Sequence, residues 1–173
     1  LSGLPIDTNK LAQLKISTEA KILEAEIKIK KMLLDGGYKR MSLFGEEPVP
    51  VNLNSPKDLL KALNAIGIGA TSTGDEILAM MDHPIGELLR DHRSAQKLLG
   101  SFIDAYPAHI NPVTGRIHPS FSQYGANTGR FSSNKPNMQQ VPHEKEIRSI
   151  FKAPEGSKII TADYSQIELR IIA

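Results

Sequence analysis

The sequence predicts an α+β fold, in which a helical first half is followed by the first strands of an antiparallel sheet and the start of a final helix. Apolar residues recur at helical spacing as far as Tyr106, whereas apolar and polar residues alternate over residues 116–123. Pro107 and Pro112 separate the two patterns. The fold class follows from this change of period, from about 3.6 residues to two.

Composition excludes several classes of protein. Of the 173 residues, 40% are hydrophobic, which is enough to bury a core. The chain has no cysteine, which excludes a disulfide scaffold and any Cys-ligated metal site. No apolar run reaches the ~20 residues of a membrane span, and no leader follows Leu1. We expect an intracellular globular protein without a membrane partner, and a net charge of +2 indicates no ligand class.

The first predicted element is a long helix from Asp7 to Asp35. Asp7 can cap its N-terminus, and Gly36 with Gly37 stops it. The many charged residues favour a solvated outer side. The glycine- and proline-containing stretch 38–54 is expected to be a linker. Five apolar residues at helical spacing predict the buried face of the helix: Ile16, Ala20, Leu23, Ile27 and Leu34.

Three shorter helices are predicted in the remainder of the first half. The first has Ser55 as its N-cap and Pro56 at the first helical position. A flexible glycine-, serine- and threonine-containing loop, residues 67–74, follows it. The other two helices are expected at residues 75–81 and at residues 84–106.

A basic row lies on the last of these helices. Arg90, Arg93 and Lys97 recur at positions i, i+3 and i+7, which places them on one face. Such a row can hold phosphates along a nucleic-acid backbone. A solvated helix face is the simpler explanation, and the pattern alone leaves both open.

The second half is predicted to contain short strands and a long polar loop. Residues 116–123 alternate as a strand does, and residues 124–143 are rich in Gly, Ser, Asn and Pro. Residues 149–152 and 157–162 are expected to be two further strands joined by a turn. These short strands, joined by turns and a loop, are predicted to form the antiparallel sheet of the fold.

One carboxylate is expected at the end of a buried strand. The run before Asp163 is apolar, and a helix is predicted from Ser165, which can form a capping box with Glu168. A hard cation such as Mg²⁺ needs oxygen ligands, which Asp163 and the carbonyl of Tyr164 can supply. The alternative is that Asp163 only caps the helix, and this segment alone leaves both readings open.

The octapeptide DYSQIELR at residues 163–170 resembles motif A of the family A DNA polymerases, the bacterial polymerase I type. Upstream, TGRFSS (128–133) and PNMQQVP (136–142) resemble the primer–template-binding segment of that family. TGRIH (114–118) resembles the strand that enters the palm, and GLPID (3–7) the start of the polymerase region. The helix with Arg93 and Lys97 resembles the thumb helix, so the resemblance covers nearly the whole chain.

The resemblance implies a domain organisation and a function. Residues 1–54 would lead into the polymerase region, residues 55–107 would form the thumb, and residues 108–173 a partial palm. The activity implied is nucleotidyl transfer from deoxynucleoside triphosphates to the 3′ hydroxyl of a primer, with primer–template DNA as partner. The setting implied is the cytoplasm or nucleoid of a bacterium or its phage. The alternative is a non-catalytic module that binds primer–template DNA.

The resemblance also implies roles for individual residues. Asp163 would be one of two catalytic aspartates that hold two Mg²⁺ ions, with the carbonyl of Tyr164 as a further ligand. Glu168 would exclude a 2′ hydroxyl on the incoming sugar. The nucleotide pocket would comprise Tyr164, Ser165, Gln166, Ile167 and Glu168. The DNA contacts would be Arg93, Lys97, His118, Arg130, Asn137, Gln139 and Gln140.

The sequence departs from the family pattern in several places. Gln140 replaces the usual Asn, and Leu99 with Gly100 replaces a Lys–Ser pair of the thumb helix. The sequence contains neither the K-x-x-x-F-x-Y-G pattern that binds triphosphate nor the H-D-E that supplies the second aspartate. Only half of the carboxylates of the Mg²⁺ site are therefore present. We expect that the chain is a piece of a longer protein and does not synthesise DNA alone.

Overall fold

The computed structural model describes residues 3–172 and confirms the α+β fold. Residues Ala12–Pro107 form one compact unit, the helical unit, and the chain before and after it forms a second, the flanking unit. No helix within residues 3–172 is long and apolar enough to cross a membrane. The principal elements are β1 (Leu4–Pro5), α1 (Thr8–Asp35), β2 (Lys39–Ser42), β3 (Gly45–Pro48), α2 (Pro56–Ala65), α3 (Asp75–Ala79), α4 (Pro84–Leu98), β4 (Arg116–Ile117), β5 (Ser120–Ser122), β6 (Ser132–Asn134), α5 (Lys145–Arg148) and α6 (Ile167–Ile172).

The N-terminus of α1 is capped as the sequence predicts. Oδ1 of Asp7 accepts hydrogen bonds from the backbone N–H groups of Asn9 and Lys10, each at 3.1 Å. These bonds satisfy two of the free amides that every helix start leaves. The cap is formed by neighbours in sequence, which is why the sequence alone could place it.

The predicted buried face of α1 is wrong. Ile16, Leu23 and Ile27 are 69%, 59% and 59% exposed. The helix carries two apolar stripes at the same spacing, and periodicity does not tell which one meets the core. The opposite stripe is buried, and its members are Leu11, Leu14, Thr18, Ile22, Ala25, Ile29 and Leu33.

The stretch predicted to be a linker contains a β-hairpin. Strands β2 and β3 pair antiparallel, with Lys39 opposite Pro48 and Ser42 opposite Gly45. Gly45 has φ of +111°, which only glycine adopts without strain. Salt bridges join Lys39 to Glu46 at 2.6 Å and Arg40 to Glu47 at 3.4 Å. Leu43 and Phe44 at the tip are almost fully exposed, so no apolar alternation marks the hairpin in the sequence.

Helices α2, α3 and α4 confirm three predicted helices, with shorter ends. Oγ of Ser55 accepts from the N–H of Asp58 at 3.3 Å, as an N-cap should. The last helix is regular only to Leu98, and a π-helical turn, Leu99–Ile103, continues it. The core of the helical unit is formed by Ile29, Leu33, Leu53, Leu59, Ala62, Leu63, Leu78, Ile85 and Leu89.

The flanking unit contains two small antiparallel pairs. Strand β1 pairs with β4 through Leu4 and Ile117, and β5 pairs with β6. The strand predicted at residues 116–123 is therefore split in two, at His118 and Pro119. Ile117 and Ile147 are fully buried in this unit.

Two further predicted strands are wrong. Residues 149–150 form a turn after α5, and only an isolated bridge between Ile6 and Phe151 follows. Residues 157–162 are not a strand, since no other part of residues 3–172 pairs with them. A strand needs a neighbour for its backbone hydrogen bonds, and Ile160 here is 88% exposed.

Candidate functional site

An ion pair joins two of the segments that the sequence singles out. Nη2 of Arg130 lies 2.6 Å from Oε1 of Glu168, although 38 residues separate them. Both side chains are about three-quarters exposed, so the pair contributes roughly 0–1 kcal/mol to stability. The pair matters for its position, because it joins Arg130, a proposed DNA-contacting residue, to Glu168, a proposed nucleotide-contacting residue.

The motif at residues 163–170 has a different helix start from the one predicted. Helix α6 begins at Ile167, and Gln166 has φ of +50°, outside the helical region. The first helical bond runs from the N–H of Arg170 to the carbonyl of Gln166, at 3.1 Å. The capping box expected between Ser165 and Glu168 is therefore not formed, since the carboxylate of Glu168 pairs with Arg130.

All of the proposed nucleotide-pocket residues lie on the surface. Asp163, Tyr164, Ser165 and the rest of the pocket set, Gln166, Ile167 and Glu168, are exposed. Within residues 3–172, no group of three or more His, Asp or Glu side chains could hold a metal ion. Asp163 offers one carboxylate, whereas a two-metal site needs ligands for both ions. The described residues therefore do not by themselves fit that site.

The primer–template-like segment is held together by its own side chains. Oδ1 of Asn137 accepts from the N–H of Gln139 at 3.0 Å and caps a short 3₁₀ turn, Met138–Gln140. The amide of Gln139 accepts from the N–H of Ser133 at 3.0 Å and donates to the carbonyl of Phe131 at 2.7 Å. Two of the proposed DNA contacts thus hold the backbone beside Arg130. Gln140 is exposed.

His118 is packed against its own unit. Its Nε2 lies 2.8 Å from Oγ1 of Thr114, and the ring covers Gly3 so closely that a Cβ there would lie 2.5 Å from Cε1. His118 is partly buried at the end of β4. The structure therefore assigns it a packing role, and DNA contact remains a proposal.

In the helical unit, the basic row of α4 is divided between protein contacts and solvent. Nε and Nη2 of Arg90 donate to the two carboxylate oxygens of Asp75, at 2.9 and 3.3 Å. The guanidinium of Arg93 donates to the carbonyl oxygen of Thr73. Lys97 is exposed. Sequence periodicity found the row but not its two partners, which lie 15 and 20 residues away.

A contact between a buried histidine and a partly buried glutamate in the helical unit was not predicted. His92 is 1% exposed, and its Nε2 lies 3.3 Å from Oε1 of Glu26 on α1. Partial burial raises the pKa of Glu26, but hydrogen bonds from His92 and Lys30 outweigh it and hold that pKa below its ordinary value. His92 occupies one position of the apolar stripe of α4. The only hint in the sequence that it has a hydrogen-bond partner is that it is a polar residue at a position expected to be buried.

Comparison with known proteins decides the family. The sequence profile of DNA polymerase family A matches residues 9–173. The chain belongs to DNA polymerase family A. DNA polymerase I of Pseudomonas aeruginosa is 42% identical over 147 residues, which cover 76% of this chain and 16% of that protein. The thermostable DNA polymerase I of Thermus thermophilus is 34% identical and covers 99% of this chain, which spans 21% of that protein.

A solved structure shares the fold of this family A chain. It is the POL domain of Pol1 from M. smegmatis, in complex with a DNA primer–template and dNTP. The TM-score is 0.71 at 29% sequence identity, and the match covers 98% of this chain and 30% of that one. The α+β fold is therefore that of part of a polymerase domain.

Proposed function

We propose that this chain is a primer–template-binding part of a family A DNA polymerase, the enzyme that transfers a nucleotidyl group from a deoxynucleoside triphosphate to a primer 3′ hydroxyl and releases pyrophosphate. The observation that carries the proposal is the 2.6 Å contact between Arg130 and Glu168. The contact brings residues 128–142 and 163–170 together, and this supports a site at which the primer end and the incoming nucleotide would meet. The DNA polymerase I relatives and the primer–template complex of the solved neighbour support this assignment.

The DNA-binding role is proposed for two groups of residues: exposed cations that can contact the DNA, and polar side chains that hold the loop carrying one of those cations. Arg130 and Lys97 are exposed cations and can neutralise phosphates or reach the groove without reading sequence. Asn137 and Gln139 act on the backbone of the loop that presents Arg130. Arg93, His118 and Gln140 complete the proposed DNA-contacting set, in thumb and palm segments as the resemblance divides them.

The nucleotide-binding role is proposed for the motif A segment. Glu168 would face the sugar of the incoming nucleotide, and its contact with Arg130 orients the carboxylate. The rest of the pocket set is Tyr164, Ser165, Gln166 and Ile167. Asp163 and the carbonyl of Tyr164 remain the proposed ligands and Mg²⁺ the proposed ion, but one carboxylate supports no catalytic step for the chain alone.

A primer–template binding experiment tests the proposal. Fluorescence anisotropy with a labelled primer–template should show binding that weakens steeply as salt rises. Arg130→Gln should weaken binding about tenfold, or about 1.4 kcal/mol. The control is Arg40→Gln in the hairpin, which removes the same charge from another exposed ion pair. Equal affinity of the Arg130→Gln and Arg40→Gln variants would contradict the proposed site.

The single carboxylate of Asp163 favours a second candidate, in which the chain binds primer–template DNA without catalysis of its own. Primer extension with the purified chain, Mg²⁺ and all four triphosphates separates the two. We expect binding without extension. Incorporation that survives a control for contaminating polymerase would show that the chain alone is catalytic.

A further inference from the structure

Two arginines of α4 hold the segment on either side of Gly74. Arg90 makes a two-point contact with Asp75, at 2.9 and 3.3 Å, and Arg93 donates to the carbonyl of Thr73. The planar guanidinium matches a carboxylate at two points, which a lysine ammonium cannot do. The two contacts therefore fix the end of the loop 67–74 and the start of α3 against one face of α4.

The loop so held carries groups that suit a phosphate backbone. Residues 67–74 contain no acidic side chain, and Thr71 and Ser72 are exposed. Hydroxyl groups and backbone N–H groups commonly contact phosphates without reading base sequence. The middle of the loop is fixed as well, since Nδ2 of Asn64 donates to the carbonyl of Ala70 at 3.1 Å. The loop thus presents a fixed set of donors.

The basic row continues past these contacts to an exposed cation. Lys97 lies four residues, about one turn, beyond Arg93 on α4 and is exposed. The row therefore has two arginines that face protein groups and one lysine that faces solvent. If Arg90 left Asp75 to pair with a DNA phosphate, the carboxylate of Asp75 would lie unpaired close to the DNA. Repulsion between that carboxylate and the phosphates opposes such an exchange.

We propose that Arg90 is a positioning residue for DNA binding: it acts through Asp75 to hold loop 67–74 beside Lys97, and the loop contacts the phosphate backbone. This inference rests on the proposed function, since it assumes that the chain binds primer–template DNA. The hydrogen bond from Arg90 also lowers the pKa of Asp75, because it stabilises the charged form of the carboxylate.

Removal of the carboxylate distinguishes this role from direct phosphate contact. Asp75→Asn releases Arg90, so a direct contact predicts unchanged or tighter primer–template binding. Positioning predicts that Asp75→Asn and Arg90→Gln both weaken binding, by about fivefold each. The slope of the logarithm of the binding constant against the logarithm of the salt concentration should stay unchanged in both variants. Lys97→Gln should instead reduce that slope by about 0.9. Asp75→Glu retains a carboxylate and should bind within about twofold of the unchanged chain.

A second readout tests the contact without DNA. Hydrogen exchange of the backbone amides at residues 71–78 should be faster in Arg90→Gln and Asp75→Asn than in the unchanged chain. The matched controls are Arg40→Gln and Glu47→Gln, which break an exposed ion pair of the hairpin and leave those amides unaffected.

The outcomes separate this inference from the proposed function. If the unchanged chain fails to bind primer–template, the proposed function and its extension to Arg90 both fall. If the chain binds and Asp75→Asn binds as tightly or more tightly, only the positioning role is overturned. Faster exchange together with weaker binding in both variants supports the role.

Discussion

Arg130 and Glu168 are 38 residues apart in sequence, and their side chains meet at 2.6 Å on the surface of the flanking unit. A cation that DNA would attract is thus paired with a carboxylate that DNA would repel. Primer–template binding must either keep this pair or exchange Glu168 for a DNA group at Arg130.

The first prediction concerns the carboxylate of that pair. Glu168→Gln removes one negative charge next to Arg130, so primer–template affinity in the absence of nucleotide should rise about two- to fivefold. Fluorescence anisotropy measures the change. Glu155→Gln removes an equal charge from an exposed turn of the same unit and serves as the control. An equal gain in both variants would show that only net charge matters.

The second prediction concerns the amide of Gln139. Gln139→Ala removes two hydrogen bonds to the backbone of Phe131 and Ser133, each contributing roughly 1 kcal/mol. Amide hydrogen exchange at residues 131–133 should be faster in this variant without DNA. The neighbouring Gln140→Ala should leave exchange there unchanged, because the two side-chain hydrogen bonds to Phe131 and Ser133 come from Gln139. Similar exchange in both variants would argue against the structural role of Gln139.

The third prediction is a pH dependence. The pKa of Glu26 in the folded chain lies below its ordinary value of 4.5, so its stabilising contribution is present above that pH and is lost as pH falls through the lowered pKa. Urea unfolding should show Glu26→Gln to be less stable than the unchanged chain at neutral pH. The difference should shrink from about pH 5 to about pH 3.

Lys30 provides a check on this pH dependence. Its Nζ lies 3.3 Å from Oε2 of Glu26, so Lys30→Gln removes one of the contacts that lower the pKa of Glu26. The pH-dependent difference caused by Glu26→Gln should be smaller in the Lys30→Gln background. A difference that stays constant from pH 7 to about pH 3 would contradict this account of Glu26.

The fourth prediction separates steric from backbone effects at two glycines. Gly3 and Gly69 both have φ of +66°, but only at Gly3 would a Cβ meet a side chain, the ring of His118 at 2.5 Å. Gly69→Ala should therefore cost about 1 kcal/mol of unfolding free energy, from the backbone alone. Gly3→Ala should cost about 1–3 kcal/mol more. Equal costs would show that His118 moves away freely.

Local signals explain which parts of the fold could be predicted. The caps at Asp7 and Ser55 depend on residues two or three positions away, and both are confirmed. The buried face of α1 depends on which of two equivalent apolar stripes meets Leu59 and Leu63, so periodicity chose wrongly. The hairpin was missed because its large apolar side chains, among them Met41 and Phe44, are exposed and do not alternate between a buried and an exposed face.

The candidate site was predictable only where it depends on motifs. The resemblance marked Arg130 and Glu168 separately, but a contact over 38 residues has no signature in a single sequence. Asn137 could have been recognised as a cap, since Asn is favoured at that position and its side chain can accept from the backbone N–H two residues later. The partners of Arg90 and Arg93 depend on how α3 packs on α4, which no local pattern encodes.

Amide hydrogen exchange of the chain with and without primer–template DNA tests the central claim most directly. If residues 128–142 and 163–170 together present the DNA-binding site, bound DNA should slow exchange in both segments and leave the hairpin at residues 39–48 unchanged. Binding that slows exchange in neither segment would contradict the claim.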